Sequence, residues 1–284
     1  MPLALKPFRV FLGACLLVSA LVPVFGTEHA GFLGLLCLII LVAGLPHGAF
    51  DLCIMGHRYS GAALAWAVGG YLGLIALTVL VWLTLPLVFL ASFLSYSAYH
   101  FGDSDWPSTG LGQKLAWGAA IVGLPCLTAG DQVSQLFSII TGIANLDLLT
   151  AGFGLLAIPA TAWCAALWVR GRSPSGLLLI CYAAVCTLSG PLAAFACYFA
   201  CLHSPFHLRL WQQRIPSSST LSLYGLSGVV LVCVGLLVIL QPVAGGSPAA
   251  TLVSELDAST LRYTFVALAA LTVPHMTLLL MAKR

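Results

Sequence analysis

Five of the seven histidines in this chain sit within or at the ends of apolar stretches: His47, His100, His203, His207 and His275. An ionisable group in such a setting is costly to hold and usually functional. His203 and His207 stand four apart, so a helix places both imidazoles on one face, one turn apart, the spacing used to grip a single metal ion. Pro205 lies between them and leaves the Cys201 carbonyl without its usual donor, which is tolerable only where protein or a polar cavity supplies another partner. Pro-His recurs at Pro46-His47 and Pro274-His275, so His47 is expected to open a fresh helical turn with Asp51 four residues beyond it. Metal-bound imidazoles donate their other ring N–H to a carboxylate or carbonyl. Asp51, and Asp103 near His100, are the expected acceptors, whereas Asp105 reads as solvated. His29 and His57 fall in loops beside charged residues and are left out of the site.

Neutral imidazoles suit Zn, Cu, Fe and Ni, while the lack of a cysteine cluster or a carboxylate-rich set argues against iron–sulfur, Mg or Ca. Composition leaves those four metals open. The chain also lacks the adjacent His-His pair and the larger histidine count of two-iron membrane desaturases, so the number fits one mononuclear site. A lone intramembrane histidine is more often a helix–helix hydrogen bond than a ligand. The weight here comes from several helices agreeing.

The elements that must position these groups are membrane helices. Of 284 residues, 61% are hydrophobic and 7% charged, with a mean hydropathy of +1.06, against about 25% charged in an ordinary soluble domain. This composition excludes a soluble globular enzyme and reads as an all-α, polytopic integral membrane bundle forming one domain over 1–284. The net charge of +3 comes from 11 basic and 8 acidic residues scattered singly, so no basic patch exists to hold nucleic acid. Ten cysteines lie in apolar runs without CxxC pairs and read as small packing residues.

Cutting the chain at Pro, Gly and charged clusters predicts ten spans, near 8–25, 30–45, 62–83, 85–101, 111–128, 146–169, 174–189, 191–207, 220–240 and 261–281. The long apolar runs exclude a β-barrel. Residues 131–141, with Val133, Leu136, Phe137 and Ile140 on one face, read as an extra interfacial helix. Lys6 and Arg9 precede a cleavage-like Val18-Ser19-Ala20, but the stretch approaches spanning length and reads as the first span.

Cytoplasmic loops are enriched in Lys and Arg. With both termini inside, ten of the eleven basic residues are cytoplasmic and Arg262 alone lies outside. The five histidines then all fall toward the cytoplasmic side. Residues placed for packing alone would scatter over both sides, so the grouping points to a shared site.

Four strings carry a family resemblance: Gly44-Leu-Pro-His-Gly-Ala-Phe-Asp51, Tyr99-His-Phe-Gly-Asp-Ser-Asp-Trp106, His203-Ser-Pro-Phe-His207 and Thr272-Val-Pro-His-Met276. In order and on separate spans, they resemble the bacterial Brp/Blh-type beta-carotene 15,15'-dioxygenases. The resemblance implies an integral membrane oxygenase of the cell inner membrane that uses Fe(2+) and O2 to split the central double bond of beta-carotene into two all-trans-retinals. By motif the ligand set, and with it the catalytic set, becomes His47, His100, His203 and His207. His275 ranks next for iron or orients a ligand, with Asp51 and Asp103 behind the imidazoles.

A hydrocarbon substrate dissolved in lipid is reached without crossing water. Tyr96, Phe195, Phe199 and Phe206 are expected to line its tunnel, and the small residues Gly48, Ala49, Gly102 and Ser204 to let the polyene pass close to the metal. With the histidines near one membrane face, that tunnel is expected to run parallel to the membrane plane or to bend. A retinal-binding rhodopsin is the natural acceptor of the product. The competing reading is a histidine-ligated redox carrier of b-type haem, or a metal-transport protein. A permease would line its path through both membrane halves, and the outer half lacks intramembrane charge and histidine.

Overall fold

A computed structural model gives the fold for residues 5–25, 30–212 and 249–282; within these, the side chains of 23–25, 30–31, 33, 45–50, 211–212, 249–257, 260 and 282 lie outside the described residues. After a short 3-10 turn (Lys6–Phe8) come α1 (Arg9–Phe25), α2 (Ala30–Arg58), α3 (Gly61–Thr84), α4 (Pro86–Asp105), α5 (Leu111–Thr128) and α6 (Gly130–Thr141). Then follow α7 (Asp147–Val169), α8 (Ser175–Ser189), α9 (Pro191–Tyr198), a π turn (Phe199–His203), α10 (Ser204–Gln212) and α11 (Ala249–Ala282). Every described element is helical.

The breaks between helices follow local chemistry. Leu85 leaves helical geometry and Pro86 occupies the first turn of α4, where its missing N–H costs nothing. Gly142 closes α6 at φ +74° and Gly190 precedes Pro191 at φ +89°, conformations that a residue with a side chain adopts only at a cost.

Three described helices are long and apolar enough to cross a membrane: Gly61–Thr84, Asp147–Val169 and Leu261–Met281, with mean hydropathies of 2.1, 1.6 and 1.8. The expectation of ten spans is therefore met only in part among the described residues. Span 220–240 lies outside them, and the apolar stretch Ser175–Ser189 is shorter. Three elements also differ in form from the sequence reading. The second span does not stop before Pro46, because α2 continues to Arg58 and carries Asp51 within a single helix. The span expected over 191–207 is three pieces, α9, the π turn and α10. The helix expected over 131–141 is present as α6, but it packs its apolar face inward.

Two helices show how the bundle is layered. α3 turns most of its surface outward, with Trp66 82% and Leu83 65% exposed, as a lipid-facing helix does. The apolar part of α11 is instead about half buried (56%) and packs against α2, α3 and α6. Lipid offers no hydrophobic drive between helices, so close backbone approach holds such bundles together. α4 and α5 exemplify this. A Cβ built on Gly118 would lie 1.7 Å from the Ala98 carbonyl oxygen, and one on Gly102 would lie 1.9 Å from that of Lys114. Any larger residue at either position forces α4 and α5 apart. Their contact presses Trp117, fully buried, against the C-terminal turn of α4.

Candidate active site

The α4 turn that faces α5 carries His100, and three other elements bring histidines to it. His203 ends the π turn, His207 stands on α10, and His275 follows Pro274 in α11. The ring centre of His100 lies 5.2 Å from that of His203, 5.8 Å from His207 and 5.7 Å from His275. His207 and His275 are 5.0 Å apart and His203 and His207 are 6.0 Å apart. One nitrogen each from His100, His207 and His275 falls within a 4.8 Å group, and all three side chains are buried. His47 is carried on α2, but its side chain lies outside the described residues.

Pro205 produces the local geometry expected of it by an unexpected route. It donates no backbone N–H, and the chain just before it relaxes into a π turn in which the Ser204 N–H donates to the Phe199 carbonyl five residues back. Such turns are rare and concentrate at functional sites. The histidine pair four apart therefore straddles a π-to-α junction rather than one regular helical face. Ser204 is buried and donates its hydroxyl to the Ala43 carbonyl at 2.7 Å, fastening this junction to α2.

Two carboxylates orient two of the imidazoles. Asp51 Oδ1 lies 2.7 Å from His275 Nδ1 and Asp105 Oδ1 lies 2.8 Å from His203 Nδ1. With Nδ1–H donating to a carboxylate, the lone pair is left on Nε2, the arrangement typical of metal-binding imidazoles. Asp51, expected as an acceptor behind the imidazoles, is found on His275. Asp103 forms an ion pair with Lys114 at 2.8 Å.

Asp105 corrects the reading of that residue as solvated. It is 7% exposed. Its Oδ2 accepts from Trp117 Nε1 at 2.8 Å and from the Tyr198 hydroxyl at 2.7 Å, while Oδ1 faces His203. The sequence held one signal for it, a carboxylate in the last turn of an apolar helix within the string 99–106. Its partners carried none, because Tyr198 is 93 residues away. Tyr71 went unnoticed for the same reason. Its hydroxyl donates to Asp51 Oδ2 at 2.8 Å.

An apolar cavity of about 60 Å³ opens beside the histidines, with His100, His203 and His275 in its wall. Phe195 and Phe199 line it, stacked 5.4 Å apart, and Phe199 also stacks on His203. The other two expected tunnel residues lie elsewhere. Tyr96 is on the opposite flank of His100 with its hydroxyl 3.3 Å from Thr277 Oγ1, and Phe206 packs on Phe8 at 5.4 Å. Gly102 serves the α4–α5 contact and Ser204 the fastening to α2, so neither is the open passage expected. Gly48 and Ala49 lie on α2 where only the backbone is described.

The cavity has a direction. A second apolar space of about 110 Å³ adjoins it, and the two share Phe93, Ser97, Phe101, Phe195 and Phe265. The shared α4 residues recur every four, on one face, so the combined space runs along the helix axes.

This arrangement can bind a transition metal through neutral imidazoles while holding a long apolar molecule against it. Residues 38–282 match the family model described as beta-carotene 15,15'-dioxygenase. The chain is also 33% identical, over 267 residues, to a beta-carotene 15,15'-dioxygenase from uncultured marine bacterium 66A03, covering 85% of this chain and 90% of that protein. No solved structure matches. Buried histidines converging from separate helices and a match running through nearly the whole described chain lead to one assignment: the chain is an enzyme and belongs to the beta-carotene 15,15'-dioxygenase family.

Proposed function

We propose that this chain cleaves the central 15,15' double bond of beta-carotene with O2 to give two molecules of all-trans-retinal, at a ferrous ion held by its convergent histidines. The carbon–carbon double bond breaks and one oxygen atom goes to each new aldehyde, so no further reductant is needed. The observation that carries the reading is the gathering of His100, His203, His207 and His275 beside an apolar cavity. The residues fit a metal of this kind on their chemistry. The grouped nitrogens of His100, His207 and His275 are imidazole donors within 4.8 Å of one another, and a soft cysteine or carboxylate-rich set is not what surrounds them. His100, His203, His207 and His275 would hold the ion, with His47 added by its motif. Bound there, iron supplies the redox chemistry that allows O2 to react with a closed-shell hydrocarbon.

The chain's own groups do the rest. Asp51 and Asp105 fix the tautomers of His275 and His203 through Nδ1. Phe195 and Phe199 give the polyene an apolar wall and limit the entry of water, so that reactive species stay at the site. The three long apolar helices support a setting in which substrate arrives from lipid. In the full reading this is a single domain of about ten spans in the inner membrane with both termini cytoplasmic, passing retinal to a rhodopsin. The test is expression in carotene-producing cells, followed by product chromatography and iron analysis of the purified protein. Retinal with iron near one atom per chain is the expected result. A Soret band with no retinal would replace this reading with a haem carrier.

A further inference from the structure

The helix α6 contributes no residue to the histidine cluster or to the first cavity. It has the amphipathic pattern of a helix lying on a membrane, yet Val133, Leu136, Phe137 and Ile140 line the second apolar space. Val133, Phe137 and Ile140 also form one apolar cluster with Val266 and Ala269 of α11. The face that would rest in lipid closes the far end of the cavity that begins at the histidines.

The depth of that end can be read along α11. Phe265 lines both spaces and His275 lines the first. These residues are ten positions apart on one helix, which at about 1.5 Å per residue is about 15 Å. A C40 polyene with a ring at each end is about 30 Å long, close to the thickness of a bilayer's hydrocarbon core. This arm thus has about the length of half such a molecule. Its lining also offers a hydrocarbon ring little but carbon. The Tyr182 hydroxyl is turned away to the Ile121 carbonyl at 3.1 Å and Cys126 Sγ to that of Val122 at 3.5 Å.

Resting on the assignment of a carotenoid substrate above, we infer that α6 is the end stop of the polyene tunnel: one ring of the substrate seats against Val133, Leu136 and Phe137, and the depth of that seat places the central double bond at the histidines. The specificity for the middle of the molecule is then set by a helix about 15 Å from the chemistry. The second half of the substrate leaves by another route, so the bound polyene bends or turns at the metal.

Two experiments test α6 directly. In the first, an unmutated membrane preparation is irradiated with a carotenoid carrying a photoreactive diazirine on one ring, and the adduct is mapped by mass spectrometry. Adducts on residues 133–140 are expected. Adducts confined to other helices overturn the proposal, whatever the activity.

In the second, Val133→Phe and Leu136→Phe shorten the arm. The ring then stops early, and a bond nearer to it lies at the histidines. Retinal formation is expected to fall at least about tenfold, by the loss of near-attack geometry. The residual turnover should give two unequal aldehydes whose carbons still sum to forty, with bound iron unchanged. Retinal alone at wild-type kcat/KM from folded variants overturns the end stop. Wild-type protein that makes no retinal from beta-carotene would instead refute the underlying function, so the two failures are told apart.

Discussion

Two carboxylate–imidazole pairs flank the histidine cluster, and they are built to different standards. Asp105 meets His203 deep in the bundle and also accepts from Trp117 and Tyr198. Those donors come from α5 and α9, and α5 is locked to α4 by the Gly118 and Gly102 contacts. Asp51 meets His275 with a single tyrosine behind it. That tyrosine, Tyr71, stands on α3, the helix that otherwise faces outward. Both pairs are buried, but one is braced by donors from two inner helices and the other by a single donor from a helix that otherwise faces outward. A buried carboxylate is tolerable only when its oxygens are satisfied, so the first pair is fixed by the fold, and the second depends on how well α3 docks.

The largest effects come from the imidazoles themselves. His203→Ala and His275→Ala are each expected to lower iron affinity by more than the about 10–100-fold that loss of an outer partner costs. Iron titration of the two purified variants checks this. His275 belongs to the group of nitrogens within 4.8 Å and His203 does not, so His275→Ala should be the worse of the two. Full iron content in His275→Ala would return that residue to a supporting role and favour the set His47, His100, His203 and His207.

Next comes the core carboxylate. Asp105→Ala strands Trp117 Nε1, the Tyr198 hydroxyl and His203 Nδ1 together, and each buried group left unsatisfied costs about 1–3 kcal/mol. The sum rivals the whole stability of a modest domain, so the variant should express poorly or melt far below wild type. A normal melting curve would mean that water enters this region and the core description is wrong.

The carboxylate on the peripheral side should behave more gently. Asp51→Asn keeps an oxygen for one partner and presents an N–H to the other. The protein should fold, with iron affinity or turnover weakened by about 10–100-fold. If Asp51 only helped to shape a helix, asparagine would be nearly silent, and iron-quantified kinetics separates the two outcomes.

The comparison also explains what the sequence could and could not reveal. That the histidines of α4, the π turn, α10 and α11 lie together was expected from their positions at corresponding ends of the apolar stretches, and their rings do meet. Asp51 was readable as an acceptor, but its partner was not, since a position in sequence says nothing about which neighbouring helix it faces. Asp105 was misjudged because Tyr198 and His203 are more than ninety residues away and Trp117, twelve residues on, reaches it only when α4 and α5 close on their glycines. Pro46 misled in the opposite direction. Proline signals a helix boundary in water, whereas in a bundle neighbouring groups re-satisfy the freed backbone, and α2 runs on through it. The apolar face of α6 was correctly located and wrongly aimed, because a face that meets lipid and one that closes a cavity have the same composition.

The smallest effects test whether the two anchors differ in redundancy. Tyr71→Phe removes the donor at 2.8 Å from Asp51 Oδ2 and leaves that oxygen none of its described donors, which should cost about 1 kcal/mol and loosen His275. Tyr198→Phe removes a hydroxyl 2.7 Å from Asp105 Oδ2, but Trp117 Nε1 still donates to the same oxygen. The phenyl ring keeps its edge contact with Phe101, 5.3 Å away at 82°. Asp105 thus retains two of its three partners, and the change should be less than that of Tyr71→Phe in both melting temperature and iron affinity. Measuring the two variants side by side decides the matter. A larger loss from Tyr198→Phe would show that the tyrosine, rather than the shared network, holds Asp105, and the core pair would then be as singly supported as the peripheral one.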